Sequence, residues 1–128
     1  ETLIQAEDSL QRKDWVMETL ATGKIAGIVG LANIHYVFSR ADIGIMVANQ
    51  YQGRRYGSEA VKAVVEYAFE NGIEKLCAEI VVGNDASMRL FEHLGFEEEG
   101  CLRSHVSRNG TRFDVYVFGL LKEDAVYG

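Results

Sequence analysis

The residues best suited to chemistry lie in Val47–Gly57, read Val-Ala-Asn-Gln-Tyr-Gln-Gly-Arg-Arg-Tyr-Gly. Arg54 and Arg55 can give charge-assisted hydrogen bonds to phosphate oxygens. Gly53 and Gly57 let the backbone approach a ligand, because no Cβ intervenes. An apolar run, Ile43-Gly44-Ile45-Met46-Val47, precedes the stretch. Val61, Val64, Val65, Ala68 and Phe69 follow it at helical spacing. The order is therefore strand, turn, helix. The first turn of such a helix leaves N–H groups without partners and carries partial positive charge, which favours an anion. The plainer alternative is a strand-to-helix turn with solvated arginines. The turn matches neither the P-loop pattern nor a G-x-G-x-x-G fingerprint.

Two lone carboxylates stand in apolar strands, Asp42 and Glu79. A buried carboxylate of this kind is a candidate to take a proton. The simple alternatives are an exposed strand-end charge for Asp42 and a surface position for Glu79. His35, His93 and His105 share no metal spacing, and no metal is expected. His93 falls on the solvent side of its helix. Tyr36, Phe38, Phe113 and Tyr116 could wall an acceptor cleft together with His35 and His105, although aromatics on strands more often simply pack.

These residues must be positioned by recognisable elements. Residues 2–13 read as a short helix with Leu3, Ala6 and Leu10 on one side. Trp15–Leu20 reads as a strand, Thr22-Gly23-Lys24 as a hairpin turn, and Ile25–Val37 as the returning strand. Gly27, Gly30 and Asn33 within that strand predict a bulge or a close backbone approach. Asp42–Ala48 is the strand that feeds the glycine-arginine turn. The helix runs from Gly57 to Asn71, with Asn71-Gly72 as a left-handed cap. Lys75–Val82, apolar on both faces except for Glu79, predicts a buried strand parallel to Asp42–Ala48. Asn84 is the N-cap of a helix that aligns Ser87, Leu90, Phe91 and Leu94 on one face, and Gly95 stops it. Leu102–Ser107 and Thr111–Leu121 flank Asn109-Gly110, a hairpin signal. The fold class is α/β with a mixed sheet built around a central β-α-β-α unit.

Composition bounds the rest. The 128 residues form one domain, 1–128, large enough for a core of its own. A net charge of −6 argues against nucleic acid and leans towards cationic partners. No apolar run approaches the roughly 20 residues of a membrane span. Cys77 and Cys101 form no CxxC motif and read as buried structural thiols in a reduced, cytoplasmic interior. No signal peptide is expected, and the absence of an initial Met reads as a processing boundary.

Two motifs on these elements resemble the GNAT family of N-acetyltransferases. The family's loop, Gln/Arg-x-x-Gly-x-Gly/Ala, aligns with Gln52-Gly53-Arg54-Arg55-Tyr56-Gly57. The pattern Asn-x-x-Ser-x-x-Leu-x-x-x-x-Gly-Phe is complete from Asn84 to Phe96. Glu99-Gly100-Cys101-Leu102-Arg103, Asn109-Gly110 and Asp114-Val115 are similar to the C-terminal hairpin of the branches that acetylate ribosomal-protein N-termini or polyamines and other small amines. The resemblance covers about Asp42 to Leu121.

It implies a GNAT fold without the usual first strand and helix, an open sheet edge that a homodimer would close, and acetyl-CoA as co-substrate. The acceptor is an amine, and the acetyl group would move by direct attack on the thioester. A non-catalytic acyl-CoA-binding module is the alternative. The thioester and pantetheine arm would lie along Gly44–Ala48, with backbone contacts at Met46 and Val47. Gln52, Gly53, Arg54, Arg55, Tyr56, Gly57 and Ser58 would hold the pyrophosphate, and Asn84 and Phe91 would border the same slot. Arg55 stands where the family places the first loop glycine. Phe91 stands where many members carry a Tyr that protonates the departing thiolate. Ser87, one turn earlier, is then the candidate donor, and Asp42 the candidate base.

Overall fold

The structure, a computed structural model, describes residues 10–19, 22–48 and 56–125. Strand β1 (Leu10–Glu18) pairs antiparallel with β2 (Ile25–His35), and β2 with β3 (Arg40–Val47). Helix α1 (Tyr56–Glu70) carries the chain to β4 (Lys75–Val81), and helix α2 (Asp85–His93) follows. Strands β5 (Glu97–Arg108) and β6 (Thr111–Leu121) form the last hairpin, before a 3-10 turn at Lys122–Asp124. Among the described residues six strands make one sheet in the order β1-β2-β3-β4-β6-β5, with β3 and β4 parallel and the other neighbours antiparallel.

The turn chemistry is local and legible. Asn109 and Gly110 both take positive φ, +52° and +80°, as the tight β5–β6 turn demands. Gly72 (φ +94°) ends α1, and the Ile73 N–H donates to the Ala68 carbonyl at 3.1 Å. Gly95 (φ +98°) ends α2 in the same way, with the Phe96 N–H donating to the Phe91 carbonyl at 3.0 Å.

Both helices cover one face of the sheet. Val61, Val64, Val65, Ala68 and Phe69 of α1 bury against Val29, Leu31, Ala41 and Ile43. Phe91 of α2 joins the same core with Leu76, Ala78, Phe96 and Phe118. Pleating sends alternate residues to the other face. There Val16, Ile28 and Met46 stand side by side in register, and all three are exposed.

The opening of the chain departs from its periodicity. Leu10 to Lys13 belong to β1, not to a helix, and the rest of the expected helix lies outside the described residues. The long partner β2 decides this, because its register runs from Leu10–His35 to Glu18–Ile25 and pairs every residue of β1 but Arg12. Trp15 then meets Tyr67 of α1 edge-to-face at 5.1 Å, and Lys13 Nζ reaches the Tyr67 hydroxyl at 3.1 Å. The expected bulge in β2 forms between Ala32 and His35. The expected close approaches occur at Gly27, which faces the Met46 carbonyl, and at Gly30, which lies under Asp14.

The two thiols differ. Cys77 is half-buried, and burial pushes its thiol pKa up against the opposing pull of Arg40 and Lys75. Cys101 is exposed, contrary to the expectation of two buried thiols, because β5 is an edge strand. No helix among the described residues is long and apolar enough to cross a membrane.

Candidate functional site: a cleft between parting strands

Strand β3 stays paired with β2 as far as Val47, but it pairs with β4 only through Arg40–Lys75, Ala41–Leu76 and Asp42–Cys77. Strand β4 meanwhile remains paired with β6 as far as Val81. Beyond Asp42 the two parallel strands therefore part, and a wedge-shaped gap opens towards their C-terminal ends. Both helices begin at that end. Helix α1 starts at Tyr56, and α2 starts just after the turn Val82-Gly83-Asn84. Two helix N-termini, where partial positive charge collects, thus flank one gap.

Gly57 shows how closely the walls approach. A Cβ there would sit 3.0 Å from Leu90 Cδ1, 3.2 Å from Ile45 Cδ1 and 3.5 Å from Val47 Cγ2. The missing side chain lets α1 seat against β3 and α2 at once. Sequence reasoning assigned Gly57 only to ligand approach; its packing role depends on Leu90, a contact that no spacing reveals.

Backbone direction separates Met46 from Val47. The Met46 carbonyl is turned towards Gly27 of β2. Successive residues of a strand point their backbone groups to opposite sides, so Ile45 and Val47 direct theirs towards the gap. The Met46 side chain is 76% exposed on the uncovered face. Val47 is half-buried, and so are Tyr56 and Ser58. Gln52, Gly53, Arg54 and Arg55 lie outside the described residues.

Asn84 caps α2, its Oδ1 accepting from the Ser87 N–H at 3.2 Å. The Ser87 amide is thus engaged locally, and its half-buried side chain shares the helix face of Phe91. Replacing Asn84 by Ala is expected to cost about 1 kcal/mol, read as a lower urea midpoint; an unchanged midpoint would mean that the cap bond contributes nothing. Phe91 is 3% exposed, with its ring edge-to-face on Phe96 at 5.0 Å. It belongs to the buried core with Leu76, Ala78, Phe96 and Phe118.

Asp42 stands at the apex of the gap, on the uncovered face. Its Oδ2 accepts from Asn33 Nδ2 at 2.8 Å, and its Oδ1 lies 3.5 Å from an Arg40 guanidinium nitrogen. Sequence reasoning missed this pairing, although Asn33 was marked as a bulge. Glu79 is exposed. His35 stacks on Phe38 at 4.6 Å on the β2–β3 turn, and His93 and His105 are exposed. Among the described residues no group of three His, Cys, Asp or Glu side chains could hold a metal ion.

The family model for the acetyltransferase (GNAT) domain matches residues 1–97. The chain belongs to the GNAT acetyltransferase family. It is 31% identical over 106 residues to the putative ribosomal N-acetyltransferase YdaF of Bacillus subtilis, which covers 82% of this chain and 58% of that protein. It is 29% identical over 109 residues to the spermidine N(1)-acetyltransferase of Vibrio cholerae, covering 84% of this chain and 62% of that one. A chimeric form of the spermidine N-acetyltransferase SpeG from Vibrio cholerae superposes with a TM-score of 0.82 at 26% identity, over 88% of this chain and 68% of the other. This GNAT chain spans about 60% of the length of the curated relatives it matches, as in the 58% and 62% above. Both branches that the C-terminal hairpin resembled are thus among its relatives.

Proposed function

We propose that the chain is an acetyl-CoA-dependent N-acetyltransferase acting on a primary amine. The observation that carries the reading is the gap between β3 and β4 with two helix N-termini at its mouth. A pyrophosphate suits the start of α1, where Tyr56, Gly57 and Ser58 follow Gln52-Gly53-Arg54-Arg55. The gap-facing backbone of Val47 would orient the thioester.

Asp42 would take a proton from the acceptor's ammonium through water held in the wedge. The neutral nitrogen then bonds to the thioester carbon, the C–S bond breaks, and the nitrogen sheds its second proton to water. Ser87 or water returns one proton to the thiolate. Such direct transfer draws mainly on proximity and orientation, so a buried Phe91 without a proton to give does not prevent it.

The acceptor is a cationic amine, a polyamine or a protein N-terminus. The net charge of −6 and the spermidine-acetylating relative support this. The domain would work in the cytoplasm as a homodimer. The second reading, a non-catalytic acyl-CoA-binding module, draws on Phe91 and on Arg55 in place of the first loop glycine.

Calorimetric titration with acetyl-CoA, dephospho-CoA and pantetheine tests the pocket. Micromolar binding that weakens sharply as phosphates are removed is expected, and no binding would overturn the assignment. Turnover of spermidine separates the enzyme from the module. Replacing Ser87 by Ala should slow turnover with little change in acetyl-CoA affinity, and an unaltered rate would return Ser87 to the cap alone.

A further inference from the structure

We propose that Asn33 is a positioning residue that holds the Asp42 carboxylate ready for the acceptor's proton. This rests on the reading of Asp42 as base. Along β2, Leu31 is buried on the helix-covered face and Ala32 lies opposite Asp42 on the uncovered one. In an uninterrupted strand residue 33 would point back to the covered face. Instead Asn33 takes φ +50°, the register slips between Ala32 and His35, and Ile34 returns to the core at 1% exposure. The kink turns two successive residues to the same side, and the second of them bonds Asp42.

The reversal of the chain does not require the kink, since the β2–β3 turn follows at residues 36–39. Asn is among the few residues that tolerate left-handed backbone. What the kink delivers is one amide donor, 2.8 Å from Asp42 Oδ2, while Arg40 faces Oδ1. Asn33 thus holds Oδ2 directly, while Arg40 lies 3.5 Å from Oδ1, at the apex of the wedge.

Other charged and titratable groups surround it from each neighbouring strand. Cys77 lies opposite on β4, with its Sγ 3.9 Å from an Arg40 guanidinium nitrogen. Lys75 of β4 is held by Glu99 of β5 at 2.9 Å, and His35 of β2 pairs with Arg40 in register. None of the bonds among these groups supplies a second amide donor to Asp42.

The experiment uses the full chain, acetyl-CoA and spermidine as the probe acceptor. Replacing Asn33 by Gly keeps a residue at ease with positive φ and removes only the amide. In Asn33→Gly we expect kcat to fall about tenfold, the loss of a hydrogen bond to a charged group. The KM for acetyl-CoA should stay unchanged, the thermal midpoint should fall no further than in Asp42→Asn, and the substitution should have no further effect on kcat in an Asp42→Asn background. A wild-type kcat in Asn33→Gly, beside an impaired Asp42→Asn, overturns the positioning role and leaves Asp42 as base. An equal loss in both backgrounds overturns it as well, since Asn33 would then act independently. A wild-type kcat in Asp42→Asn, or a parent chain without turnover, removes the base and the proposal with it.

Discussion

Introducing glutamate at Gly57 is expected to abolish binding of acetyl-CoA and to lower stability by several kcal/mol. The site is buried, and a side chain there would begin 3.0 Å from Leu90 and 3.2 Å from Ile45. Those neighbours are the far ends of flexible side chains, so one methyl can be absorbed. A longer chain ending in an unpaired carboxylate cannot. It would have to push α1 away from β3 and α2, or project into the mouth of the wedge, where it meets the phosphates that the site is proposed to hold.

Alanine at the same position separates the two effects. Gly57→Ala should fold, at a cost within the roughly 1–3 kcal/mol of an overpacked site, and should keep most of its affinity. Calorimetric titration and thermal unfolding of both variants give the answer. Undiminished binding by Gly57→Glu would remove this turn from the cofactor site. Equal loss of binding in Gly57→Ala would mean that the seating of α1, and not access by the ligand, governs affinity.

The second large effect is on the core. Phe118 is 0% exposed at the middle of β6, with Ala78 opposite on β4 and Glu98 opposite on β5. Its truncation to Ala is expected to cost about 3–5 kcal/mol, a large share of the roughly 5–15 kcal/mol that holds a typical domain together. The residue directly opposite on β4 is the small Ala78, so filling the space would require its flanking neighbours Leu76 and Ile80 to shift. Urea unfolding measures this directly. A loss below about 1 kcal/mol would mean that the surrounding strands collapse onto the vacancy.

What could be read in the sequence was local. Asn109-Gly110, Asn71-Gly72 and Asn84 announce their turns and cap through the conformations that those side chains alone accept. The stripe from Val61 to Phe69 announces a buried helix face. Where the reading failed, two local signals competed and a distant partner decided. Leu3, Ala6 and Leu10 fit a helix, yet Leu10 joins a strand because His35 lies opposite it. The cleft itself was legible only through family resemblance. Nothing in Ile43–Val47 says that β4 leaves it after Asp42, since that depends on register between segments more than 30 residues apart. The joint task of Asn33 and Asp42 was hidden for the same reason. The kink was visible as an Asn in a strand, but its partner was not.

The short parallel contact has a mechanical consequence. Three residue pairs, from Arg40–Lys75 to Asp42–Cys77, join the β1-β2-β3 half of the sheet to the β4-β6-β5 half. Within each half the strands are bonded along most of their length, so this short joint is the weakest line of backbone bonding across the sheet and the place where a hinge would lie. From that hinge to Val47 the lever is five residues, about 17 Å at the rise of an extended chain. A rotation of about 10° at the hinge would open or close the mouth by roughly 3 Å. Any such rotation would be felt as a change in the width of the opening, far from the three pairs themselves.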